Sequence, residues 1–185
     1  MNNLNLKKTA EALIETFLKA GEIAKEISQR GVKITIKDDK SPVTDGDLAV
    51  DELLRNKIKI LTPKIPIISE ETVDLNINIK KEDTSFWLID PIDGTRDYIK
   101  KKEEYTLNAA LIIDLKPAVG IIYAPAKNRL FFSYGKNLAF EMNNGKIINL
   151  RCKKLNTNEI IGLEHSGETS SEILDIYKKH KVTKK

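Results

Sequence analysis

The stretch Trp87-Leu88-Ile89-Asp90-Pro91-Ile92-Asp93-Gly94-Thr95 sets a buried strand directly against two acids. Phe86 to Ile89 is an unbroken apolar run, short and partly aromatic, which reads as a buried strand. It delivers Asp90 at its tip. Pro91 stiffens the following turn and removes a backbone donor. Asp93 comes three residues after Asp90, and Gly94-Thr95 opens a short helix through Arg96-Asp97-Tyr98-Ile99. Two carboxylates ~5 Å apart at an effective dielectric of ~20 repel by roughly 3 kcal/mol. An arrangement of this kind needs protons or cations to hold it together.

Upstream, Ile65 to Ser69 reads as a second short strand, and its end presents Glu70 and Glu71. Oxygen donors from Glu70, Asp90 and Asp93, with the backbone carbonyl of Ile92 beside them and no His or Cys nearby, suit Mg²⁺ or Mn²⁺ rather than zinc. The N–H groups of Gly94 and Thr95, at a helix start, suit a phosphate oxygen.

Farther out, Leu6, Ala10, Leu13, Phe17, Ala20, Ala24 and Ile27 recur at helical steps, so residues 4–29 are expected to be an amphipathic helix stopped at Gly31. Val32 to Ile36 alternates as a strand does, and Lys37 to Pro42 reads as a polar connection. Thr44 and Asp47 form an acidic version of a capping box, opening a helix through Leu48, Leu53, Leu54 and Ile58 that ends before Pro63. Strands are expected at 106–113, 118–123, 130–134 and 139–142, with a hairpin turn at Asn143-Asn144-Gly145-Lys146. A last strand at Ile160 to Leu163 and a helix from Ser171 to Lys179 follow. Helices and strands are mixed, so the fold class is α/β or layered α+β.

The chain has 185 residues, 41% of them hydrophobic and 31% charged, enough to bury a core and unlike a disordered or collagenous chain. No apolar run reaches the ~20 residues needed to span a bilayer. Residues 1–8 lack the apolar region of a secretory signal, and the single Cys152 excludes an internal disulfide. A cytoplasmic setting is therefore expected. Net charge is +4, yet residues 37–52 hold six acids against two bases, and residues 70–97 hold eight against three. An acidic centre within a basic remainder fits an anionic substrate drawn to a cation-loaded site. No aromatic residues interleave with the basic tail at 178–185, so no nucleic-acid partner is expected. Cys152 has no evident His-Asp partners and reads as incidental.

Several ordered patches resemble the magnesium-dependent, lithium-sensitive inositol monophosphatase superfamily. They are Asp39-Lys40-Ser41-Pro42-Val43-Thr44-x-x-Asp47, Pro66-Ile67-Ile68-Ser69-Glu70-Glu71, Trp87 to Thr95, Tyr105-Thr106-Leu107-Asn108-x-Ala110-Leu111-Ile112 and Gly120-Ile121-Ile122-Tyr123-Ala124-Pro125. Ser69-Glu70-Glu71, Arg96-Asp97-Tyr98 and the Tyr105-Thr106-x-Asn108 patch resemble the CysQ branch, the 3′(2′),5′-bisphosphate nucleotidases. The inositol-1-monophosphatase branch is the alternative.

The resemblance implies an αβαβα sandwich and a phosphomonoesterase with two or three Mg²⁺ ions. Glu70, Asp90 and the Ile92 carbonyl would hold one ion, and Asp90 and Asp93 a second. Asp47 and Thr95 would orient the attacking water, with Glu70 also in the catalytic set and Glu71 behind it. Glu70, Ile92, Asp93, Gly94 and Thr95 would face the substrate. That substrate would be a small phosphorylated molecule, 3′-phosphoadenosine 5′-phosphate, giving AMP and phosphate. Li⁺ would inhibit, and a homodimer is common in the superfamily. The superfamily also carries a Trp-Asp-x-Ala-Ala-Gly segment that this sequence lacks. Residues 1–150 are therefore expected to form a domain bearing the metal site, and 151–185 the start of a truncated second domain. A remnant that binds metal or anion without turnover is the further alternative.

Overall fold

Asn5 starts helix α1 (Leu6–Arg30), its side chain accepting from the Lys8 N–H at 3.0 Å. The residues at three- and four-step spacing, Ala10, Leu13, Phe17, Ala20 and Ala24, are fully buried. Gly31 ends the helix at φ 96°, a value that disfavours any side chain. The computed structural model describes residues 4–71, 84–152, 160–162 and 170–184. Its two compact units are Met1–Leu150 and Arg151–Lys185.

In the first unit, β1 (Ile34–Ile36) pairs antiparallel with β2 (Pro42–Thr44). Two features differ from the sequence expectation. All three residues of β1 are exposed, so its alternation buries neither face. The polar connection is also shorter than expected, because Pro42 already belongs to β2. Helix α2 (Asp45–Leu61) follows where the sequence places it, with Leu48 on it 50% exposed. The buried stripe runs through Asp47, Val50, Asp51, Leu54 and Ile58, and Leu48 lies a step off it.

A seven-stranded sheet takes its order from the chain: β3 (Ile67–Ser69), β4 (Phe86–Asp93), β5 (Thr106–Ile113), β6 (Lys116–Ala124), β7 (Arg129–Tyr134), β8 (Ala139–Asn143) and β9 (Lys146–Leu150). Only β3 and β4 run parallel; the rest is an antiparallel meander. Helix α1 lies against β6 and β7, and α2 against β4 and β3. Trp87, Ile89, Leu107, Leu111, Val119, Ile121 and Tyr123 fill the layer between helices and sheet. Each such side chain contributes about 1.5–3 kcal/mol on burial. The Trp87 indole N–H donates to Thr62 Oγ1 at 3.0 Å, so the largest buried side chain is satisfied at its polar atom. Alternate residues point the other way, and there Leu88 and Ile122 stay 41% and 48% exposed.

Strand β4 does not stop at Asp90 as expected. It continues to Asp93 across an irregularity, because Asp90 faces Asn108 while Asp93 faces Thr106. Three steps on one strand against two on the other is a one-residue bulge. After Gly94 comes the short helix α3 (Thr95–Ile99).

The second unit contains β10 (Ile160–Gly162), α4 (Ser171–His180) and β11 (Val182–Lys184). Strands β10 and β11 pair in parallel, Ile160 opposite Val182. The expected strand end at Leu163 and the residue His165 lie outside the described residues. No helix among the described residues is long and apolar enough to cross a membrane.

Candidate metal and phosphate site

The parallel pairing of β3 with β4 aligns Ser69 with Ile89, and the Glu70 N–H donates to the Ile89 carbonyl at 3.0 Å. Two chain segments separated in sequence thereby end side by side, and Glu70 stands next to Asp90. Ser69 is fixed from below: its hydroxyl donates to Asp51 on α2, and Asp51 in turn pairs with Arg55, Nε to Oδ2, at 3.3 Å.

Asp90 carries the electrostatic cost of this convergence. Its pKa is raised from 3.8 to about 7, first by burial, then by the charges of Glu70 and Asp93. Its Oδ1 is buried without a hydrogen-bond partner. An oxygen so placed, among acids, fits a hard cation. The bulge turns Asp93 to an exposed position beside it, with the Ile92 carbonyl between them. Among the described residues no three His, Cys, Asp or Glu side chains form a closed metal cage. The Glu70 side chain is half exposed.

Asp47 occupies the first turn of α2 and does two things at once. One oxygen accepts from the Thr44 N–H at 2.8 Å and from the Thr44 hydroxyl, completing the capping box. The other oxygen lies 3.3 Å from Thr95 Oγ1. The same Thr95 hydroxyl lies 3.0 Å from the Ile92 carbonyl. Burial raises the Asp47 carboxyl, and the Thr44 bonds partly offset that.

Gly94 turns the chain at φ 95°, and a Cβ there would stand 2.7 Å from the Glu104 carbonyl oxygen. Only glycine suits this position. Tyr98, one turn along α3, donates to the Ala24 carbonyl at 2.6 Å and meets Tyr105 edge-on with centroids 5.0 Å apart. Its hydroxyl lies 2.5 Å from where a Cβ on Gly46 would sit, so α3 packs closely against the start of α2. Burial drives the Tyr98 phenol well above its ordinary range.

Glu70, Asp90, Ile92, Asp93, Gly94, Thr95 and Asp47 therefore converge on one end of the sheet, around the tips of β3 and β4. Glu71 lies behind them, tied to Lys37 Nζ at 2.8 Å. A cleft of about 400 Å³ adjoins the acids, lined by Leu88, Asp90, Asp93, Thr106, Asn108 and Ile122. Asn108, opposite Asp90 in the ladder, has a buried Oδ1 without a partner. Lys37, Asp51 and Asn108 are additions to the residues expected from sequence. The lysine whose ammonium meets Glu71 is Lys37. Lys102, in the basic run at 100–102, pairs with Asp97 at 3.0 Å. Cys152 is exposed and free.

The sequence model of the inositol monophosphatase family matches residues 5–184. The chain belongs to the inositol monophosphatase family. Within the family, it is 30% identical over 160 residues to the 3′(2′),5′-bisphosphate nucleotidase CysQ of Aggregatibacter actinomycetemcomitans, covering 86% of this chain and 60% of that relative. The structure of CysQ from Bacteroides thetaiotaomicron superposes with a TM-score of 0.69 at 26% identity, covering 98% of this chain and 73% of that one. A staphylococcal inositol monophosphatase, solved as a lithium-soaked inhibitory complex, has the same fold with a TM-score of 0.78 at 18% identity, over 100% of this chain and 68% of that one. The layered α/β class expected from the sequence is thus the family fold.

Proposed function

We propose that this chain is a divalent-cation-dependent phosphomonoesterase of the CysQ type. It removes the 3′-phosphate of 3′-phosphoadenosine 5′-phosphate, giving AMP and phosphate. The observation that carries the reading is the adjacency of Glu70 and Asp90, with an orphaned buried oxygen on Asp90. Glu70, Asp90 and the Ile92 carbonyl would hold one Mg²⁺ or Mn²⁺, and Asp90 and Asp93 would share a second. Such ions neutralise the phosphate and lower the pKa of a water they polarise.

The chain's own groups do the positioning. The Thr95 oxygen takes a hydrogen bond from the attacking water while its hydroxyl donates to Asp47. Asp47, nearly enclosed, is kept in place by Thr44 and receives the water's proton through Thr95. The water oxygen bonds to phosphorus as the bond to the ribose 3′-oxygen breaks, and the departing oxygen, which keeps the bonding pair, takes a proton from solvent water to become the 3′-hydroxyl of AMP. Gly94 and Thr95 N–H groups hold the phosphate oxygens. The cleft beside Asn108 and Ile122 receives the nucleoside.

Phosphate release from the bisphosphate nucleotide in Mg²⁺ tests the reading. Wild-type turnover, its inhibition by Li⁺, and loss of activity in Asp90→Asn are expected. Full activity in Asp90→Asn would overturn it. The chain spans 60% of the length of a curated relative. Cation uptake with no phosphate release would select a chain that binds cation and anion without turnover.

A further inference from the structure

Lys37 sits just after β1, and its ammonium reaches across to the tip of β3. Nζ lies 2.8 Å from Glu71 Oε1 and 2.7 Å from Oε2, the second an ion contact rather than an aligned hydrogen bond. Glu70 Oε1 is 3.9 Å from the same Nζ. The Glu71 side chain is 3% exposed and that of Lys37 only 25%. The lysine is also held at its backbone. Its N–H donates to the Ser41 carbonyl and its carbonyl accepts from the Lys40 N–H, both at 2.9 Å. Asp39 closes the same loop through the Ser41 N–H and hydroxyl. Burial pulls the Lys37 pKa down, but the Glu71 hydrogen bond and the charges of Glu71, Glu70 and Asp39 outweigh it, so the ammonium stays charged.

We propose that Lys37 is a built-in counter-cation of the metal site. It holds Glu71 out of the ligand set and stands where a further divalent ion would otherwise settle between Glu70 and Glu71. The inference rests on the metal reading of Glu70 and Asp90 given above. Its physical basis is simple competition. A fixed positive charge beside Glu70 repels any incoming divalent ion, and it holds the Glu71 carboxylate by a hydrogen bond to Oε1 and an ion contact to Oε2. The site then takes its ions on the Asp90 side and releases them readily. Lys37 touches no reacting atom in this scheme, so it is a positioning residue.

The test is a Mn²⁺ titration of the 185-residue chain, following free Mn²⁺ by electron paramagnetic resonance at fixed pH and ionic strength. Lys37→Gln is expected to bind Mn²⁺ about tenfold tighter or more, and to take one further equivalent as Glu71 becomes a ligand. Lys37→Met, which keeps the aliphatic stem, carries the same expectation and serves if the glutamine variant fails to fold. Lys37→Arg keeps the charge and is expected to reproduce the wild-type isotherm. Weaker or unchanged binding in folded Lys37→Gln or Lys37→Met, with normal wild-type uptake, overturns the role of Lys37, because a lysine that merely braces the loop would loosen the site when removed. A wild-type chain that takes up no Mn²⁺ overturns the metal reading itself.

Discussion

Asp47 Oδ1 and Thr95 Oγ1 stand 3.3 Å apart across 48 residues of sequence. The pair joins the first turn of one helix to the first residue of another. Thr44 holds Asp47, and the Ile92 carbonyl, 3.0 Å from Thr95 Oγ1, is the alternative acceptor for the one Thr95 hydroxyl proton. Asp47→Asn can still accept from the Thr44 N–H but cannot take up a proton. It is expected to cut phosphate release by about 100-fold or more while costing about 1 kcal/mol of stability. Steady-state assay beside denaturant unfolding separates the two effects. Equal, large losses in both would mark Asp47 as a cap alone.

The raised Asp90 pKa has a consequence for the cation-free chain. The carboxyl titrates at about 7 in the fold against 3.8 as a free group. The folded chain therefore keeps a proton that the unfolded chain has released. The stabilisation is fully present below pH ~4 and is lost as pH rises through ~7. Thermal unfolding in chelator should give a higher Tm at pH 5 than at pH 8. Added Mg²⁺ should close the gap, and Asp90→Asn should flatten the profile. A Tm in chelator that rises from pH 5 to pH 8 would contradict this.

Gly94→Ala meets two obstacles at once, a φ of 95° and the Glu104 carbonyl oxygen at 2.7 Å from the new Cβ. It is expected to cost about 1–3 kcal/mol and to shift Thr95 out of reach of Asp47. Chemical denaturation and phosphate release should fall together. A variant of wild-type stability would show that the turn has more freedom than its geometry indicates.

Thr62→Val leaves the Trp87 indole N–H without its acceptor inside the core. The expected loss is about 1–3 kcal/mol with Mg²⁺ affinity unchanged, since Thr62 lies away from the acids. Trp87 is the only tryptophan, so its fluorescence reports both the unfolding midpoint and the altered surroundings.

The local features of this fold were legible in the sequence because they are written in neighbouring residues. The α1 stripe, the Thr44–Asp47 cap, the strand at Phe86 and the turn at Asn144-Gly145 each rest on residues within a few positions of one another. The convergence of Glu70 and Asp90 followed from a resemblance and from two acid-tipped apolar runs. What the sequence withheld is tertiary. Lys37 meets Glu71 across 34 residues and Ser69 meets Asp51 across 18, and no spacing rule announces either. The expected strand at Val32 to Ile36 is present over Ile34–Ile36, and its three residues are exposed although its partner β2 buries Val43 and Thr44.

The ladder between Ile67–Ser69 and Trp87–Ile89 has an implication for engineering. Hydrogen bonds between two strands running the same way fix the distance between Glu70 and Asp90. A chain cut between those strands and expressed as two pieces should reassemble the same pair of acids.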